Sequence, residues 1–174
     1  WHSFLIQDFL SCYKYSNKWM ELFYNNENQI VINPVWYIKG ANYLLECLYL
    51  IKHKTAFKNS LHQFETTIAQ ENFPDNDNIN TLSFLCLYNS KLNVHFLEGT
   101  FKEGLYLAED VLKKMNKHQN QLDEHHIMVF YYKIACLYFG SGDNRKCIEY
   151  LKKIIENKSL SMREDLMCFA RILN

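Results

Sequence analysis

Proline and glycine are scarce. Two Pro and five Gly in 174 residues leave too few positions for the tight turns of a many-stranded sheet, which argues against all-β, collagen-like and linker-type chains. Charge of one sign is lacking too. Nineteen Lys and Arg balance nineteen Asp and Glu, and only three of the basic residues are Arg, so no global field draws the chain to nucleic acid or an anionic membrane. No apolar run approaches the ~18 residues of a membrane span, since Glu46 and Lys52 interrupt the richest one, at residues 43–51. There is no C-x-x-C pair or zinc-ligand spacing, no G-x-S-x-G elbow and no Gly-rich phosphate loop. Ser, His and Asp occur, but no spacing places a base within reach of a nucleophile. The expectation is a non-catalytic protein with no cofactor and no metal, binding neither nucleic acid nor membrane.

What is abundant is apolar surface: 48% of the residues are hydrophobic and 16% aromatic, enough to bury a real core. Six cysteines (Cys12, Cys47, Cys86, Cys136, Cys147 and Cys168) are spread nearly evenly, mostly among Leu, Ile and Phe. Such thiols read as small buried hydrophobes, and reduced thiols imply a cytoplasmic location. The chain opens at Trp1 rather than Met, so it reads as a fragment of a longer protein, with a removed signal peptide left open.

From Asn80 onward the apolar residues recur at helical spacing. Leu82, Leu85, Tyr88, Leu92 and Phe96 form one stripe ending near Gly99; Thr100-x-x-Glu103 has the form of a capping box, and Phe101, Leu105, Ala108, Leu112 and Met115 follow. A helix from Asp123 carries Ile127, Phe130, Ile134, Ala135 and Tyr138 and is expected to stop at Gly140. Asp143 caps the next, with Ile148, Leu151 and Ile155, and Ser161-x-x-Glu164 opens a last helix through Leu166, Phe169 and Leu173. In the first half, Asn33-Pro34 starts a long helix to about His53 and another runs over residues 55–70. Residues 3–24 are helical, as one rod or as two helices broken near Ser16-Asn17. Ile30-Val31-Ile32 is the only β-branched run and predicts an extended connector over 25–33.

Short turns between these helices force antiparallel neighbours. Gly142-Asp143-Asn144 followed by Cys147 superposes on Gly99-Thr100-Phe101 followed by Gly104, and Phe57 followed by Ser60-Leu61 is a weaker copy. Phe57, Phe101 and Asn144 lie 44 and 43 residues apart, the mark of a helical repeat. A decayed earlier copy is indicated at Trp19 and Leu22.

Residues 131–156 resemble the tetratricopeptide repeat (TPR) family, in Tyr131, Ile134, Ala135, Tyr138, Gly142, Asp143, Cys147, Ile148, Glu149 and Tyr150. The copy around residues 99–112 matches in its second helix only, and the period exceeds the family's ~34 residues. The resemblance implies an all-α fold, a right-handed α-α superhelix (a TPR-like solenoid) of three to four antiparallel hairpins: one domain over 1–174, with hairpins near 3–25, 34–71, 80–116 and 123–157 and a final helix at 161–174. One hairpin buries too little to stand alone, so stacking carries the core from unit to unit.

Isolated clusters read as structural. Asp123-Glu124-His125-His126 cannot converge on one ion, because adjacent helical residues point ~100° apart; the cluster reads as a helix cap. His53, His62 and His95 stand alone. Lys113, Lys114, Lys117 and His118, and one repeat later Lys152, Lys153 and Lys158, offset helix dipoles, with a phosphate-binding ridge as the minority reading.

In the family the first helix of each hairpin lines a concave groove. Carried over residue by residue, the resemblance implies a groove of Asn89, Asn93 and Phe96 from one repeat and Val129, Tyr132, Lys133, Cys136 and Phe139 from the next, with Asn42, Leu45 and Tyr49 at the corresponding places earlier. Asn89 and Asn93 share one helix face, and their amides can clamp a peptide backbone through donor and acceptor alike; solvated asparagines are the plainer alternative. Lys133 alone does not make the family's two-carboxylate clamp. The expected function is a protein-interaction scaffold holding a peptide or partner segment. A second reading is a sensor or dimerisation module of a larger regulatory protein, self-associating through the apolar C-terminal helix; a remote third is an all-α enzyme.

Overall fold

The computed structural model describes Ser3, residues 6–118 and 120–157, and Cys168, Arg171 and Ile172. Among the described residues the regular secondary structure is entirely α-helical: α1 (Phe9–Tyr24), α2 (Asn28–Ile32), α3 (Pro34–Leu50), α4 (Lys54–Ile68), α5 (Asp77–Glu98), α6 (Phe101–Lys117), α7 (Glu124–Ser141) and α8 (Asn144–Ile155). The expected final helix at 161–174 lies outside the described residues, apart from Cys168, Arg171 and Ile172. The chain forms two compact units, residues 1–97 and 98–174.

In the first unit α1 packs on α3, and α3 on α4. Tyr37, Phe57 and Phe64 are wholly buried at the centre. Phe23 meets Tyr37 edge-on at 5.6 Å, and the Phe64 ring lies 6.0 Å from Tyr37. Each such ring stabilises the fold by roughly 1.5–3 kcal/mol through burial. In the second unit α6 packs on α7 and α7 on α8, around Met128, Ala135, Cys147, Leu151 and Ile154.

Four corners introduce the second helices, and their backbones agree. A residue with positive φ comes first: Gln7 (59°), Lys52 (56°), Gly99 (71°) and Gly142 (88°). An N-cap with φ between −81° and −91° and ψ between 59° and 76° follows, at Asp8, His53, Thr100 and Asp143, and the helix then begins. At three corners the cap's own N–H reaches back five residues: Asp8 to the Ser3 carbonyl at 2.8 Å, His53 to Leu48 at 2.9 Å and Asp143 to Tyr138 at 2.9 Å. At His53 and Asp143 this is the Schellman bond that closes a helix end. Asp8, His53 and Asp143 also accept from the amide three residues on, at 3.1, 3.3 and 3.1 Å. At His53 and Asp143 one residue thus ends one helix and starts the next.

Several local expectations change. Helix α1 runs unbroken through Ser16-Asn17, because Ser16 is buried with its hydroxyl 4.0 Å from the Cys47 sulfur. Ile30-Val31-Ile32 is helical, not extended: Ile30 packs against the first core and Asn33 donates to Gln29 one turn earlier at 2.9 Å. That side chain therefore does not cap α3, although Pro34 does open it. Thr100 makes no side-chain cap bond, so the capping box is not formed. Helix α7 continues past Gly140 and ends at Gly142; Gly140 serves contact instead, since a Cβ there would stand 2.5 Å from the Phe101 ring.

The corners also correct the repeat register. Counting each second helix from its first residue, position four holds Cys12, Phe57, Gly104 and Cys147, and position eight holds Ser16, Leu61, Ala108 and Leu151, all buried. Phe57 is therefore the counterpart of Gly104, not of Phe101. The corners fall 45, 47 and 43 residues apart.

Candidate functional site

Counting back from Lys52, Gly99 and Gly142 gives the three helices before them one frame. Ten, six and three residues before the corner stand Asn42, Glu46 and Tyr49 on α3, Asn89, Asn93 and Phe96 on α5, and Tyr132, Cys136 and Phe139 on α7. These spacings put each trio on one helix face. Each unit carries its own share of them.

In the first unit the face is organised around Glu46. Asn89 donates its Nδ2 to Glu46 Oε1, and Asn93 points its Nδ2 at the same oxygen from 3.5 Å, the outer limit of a hydrogen bond. Asn93 is only 1% exposed, whereas Glu46, Asn42 and Asn89 are half-buried. Both amides thus spend a donor on one carboxylate, and Asn93 is a buried polar contact between helices. Leu45, expected on this face, is in the core at 1% exposure; its neighbour Glu46 takes the place. The signal that identifies Glu46 is the count from Lys52, concealed because Lys52-His53 carries neither the Gly nor the Asp that mark Gly142-Asp143.

Glu46 also colours the thiols beside it. Burial pushes the Cys86 thiol far up, with the Glu46 charge adding to it. Cys47 is pushed up to about 12, by burial first, then by its contact with Cys12 and, last, by Glu46. These thiols stay protonated and are poor nucleophiles.

In the second unit Val129, Tyr132, Lys133 and Cys136 are half-buried and Phe139 is 54% exposed. Burial raises the Cys136 thiol, and a hydrogen bond with Tyr132 and the Lys133 charge work against it. On another side of α7, Tyr138 stacks on Tyr150 of α8 at 5.7 Å. Lys153 sits over Tyr150 and Tyr131 at 4.6 and 5.1 Å, cation–π contacts that use this lysine within the unit.

Two of the other groups act as helix caps. Asp123 caps α7, accepting from the His126 amide at 3.0 Å, and His126 Nδ1 lies 2.7 Å from the same oxygen. His53 is itself a cap. Among the described residues no three His, Cys, Asp or Glu side chains are grouped to hold a metal ion, and no helix is long and apolar enough to cross a membrane.

The chain matches no family model, no curated protein and no solved structure. What it does is argued from its own residues.

Proposed function

We propose that this is a non-catalytic, TPR-like helical-repeat scaffold, a right-handed α-α superhelix that holds a peptide or partner segment along its first helices, in the cytoplasm. Two features support the reading. The corners share one backbone form at spacings of 43 to 47 residues, as expected of a repeated hairpin. The observation that carries it is the Glu46 link to Asn89 and Asn93, which ties two successive first helices, α3 and α5, together through residues of the matching faces. A strip with Tyr49 and Phe96 at one end and amides along it suits an extended chain, whose backbone donates and accepts at regular intervals.

An array of immobilised twelve-residue peptides of varied sequence, probed with the purified protein, tests this. Wild type is expected to retain a subset of peptides, and the Asn42→Ala/Asn89→Ala double variant to lose them while its thermal unfolding midpoint stays close to wild type. Retention of the same peptides by the double variant, or none by wild type, overturns the proposal.

A further inference from the structure

Among the described residues the Glu46 carboxylate is paired with no cation. Among the described residues its polar contacts are the Asn89 and Asn93 amides, both on Oε1. Two lysines of the first unit are engaged elsewhere: Lys91 with Glu65 and over Tyr88 at 5.5 Å, and Lys39 over Trp36 at 5.2 Å. A half-buried carboxylate bonded only by neutral amides has lost part of its water, and a half-desolvated charge attracts a counter-charge more strongly than one on the open surface does.

The amides sharpen the point. With one N–H of Asn89 committed to Glu46, that side chain still offers its acceptor oxygen Oδ1 beside its second N–H. Asn42, one turn before Glu46 on the same face of α3, adds a second half-buried amide. The face is thus anionic and rich in acceptors, with the aromatic rings of Tyr49 and Phe96 one turn further along their helices.

We infer that Glu46, with Asn42 and Asn89, is a recognition site for a basic side chain, Lys or Arg, presented by a bound polypeptide segment. The inference rests on the scaffold reading and adds the chemistry of the partner. Glu46 Oε2 takes the charged N–H, and the Asn89 and Asn42 carbonyl oxygens accept its remaining hydrogens, as a multi-donor ammonium or guanidinium requires.

The test is NMR of the side-chain amide signals of Asn89 and Asn93 in the ¹⁵N-labelled protein, titrated with four capped peptides, acetyl-Gly-Xaa-Gly-amide with Xaa Lys, Arg, Gln or Glu. Lys or Arg peptides are expected to shift these signals saturably, less so at high salt, and Gln and Glu peptides to leave them unmoved. Glu46→Gln keeps the acceptor for both asparagines and removes the charge; it is expected to weaken binding by about tenfold. Asn42→Lys, which supplies a cation one turn from Glu46, is expected to abolish it. Shifts that are equal for all four peptides, or unchanged in Glu46→Gln, overturn the basic-residue inference and leave the scaffold reading standing. If no peptide moves the signals and the peptide array is also empty, both fall.

Discussion

Lys52 holds a left-handed backbone that its side chain disfavours, at φ 56°, where the two later corners use glycine at 71° and 88°. An L-residue there carries roughly 1–2 kcal/mol of strain, so Lys52→Gly is expected to stabilise the protein by about 1 kcal/mol in urea unfolding. The reverse change at Gly142, around which a Cβ would meet nothing within 4 Å, isolates the backbone term: Gly142→Ala is expected to cost about 1 kcal/mol. Gly140→Ala tests a different cause, since its Cβ would meet the Phe101 ring at 2.5–2.8 Å. That overpacking is expected to cost roughly 1–3 kcal/mol, with the near-ultraviolet signal of the aromatic rings altered in the same sample. The register of Phe57 is hidden in the sequence for a related reason. The left-handed residue before its helix is lysine, and nothing in the identity of a lysine announces that conformation.

Each second helix starts from a cap and buries positions four and eight, so damage to either is felt along the whole element. Asp143→Ala removes the acceptor for the Lys146 amide and is expected to lower stability by ~1 kcal/mol; Asp143→Asn, which keeps an acceptor, is expected to lose much less. Ala135, at 0% exposure within the second core, faces the helix that Asp143 starts. Ala135→Leu is expected to lower the unfolding free energy by roughly 1–3 kcal/mol, and an unchanged melting temperature would refute the helix contact. These elements were legible because Gly-Asp, a three-residue spacing to Lys146 and a stripe of apolar residues are all local. The short helix Asn28–Ile32 was not: its β-branched residues favour strand by themselves, and only Ile30 against the first core and the Asn33 to Gln29 bond tip them into helix.

Across the molecule the buried thiols make the folded state sensitive to alkali. The folded values of Cys47, Cys86, Cys136 and Cys147 lie above the ordinary 9.0, so the unfolded chain releases these protons first. Their contribution to stability is complete below about pH 9 and is lost as pH rises from there toward about 12 for Cys47. Urea midpoints are expected to fall over that window, and less steeply in a Cys47→Ala variant. At pH 8, Cys168, exposed, is expected to react with a thiol reagent well before Cys47 and Cys86. By itself the sequence determined the helical state, the corners at Gly99 and Gly142, and the burial of most cysteines, because periodicity, glycine and capping residues act over one or two turns. Only the tertiary structure decided that Glu46 rather than Leu45 faces the strip and that both asparagines are bound to it. Neighbouring helical residues differ by ~100° in direction, and which of two points outward is set by how far the packing of α3 against α1 and α4 rotates the helix, a quantity no local pattern contains.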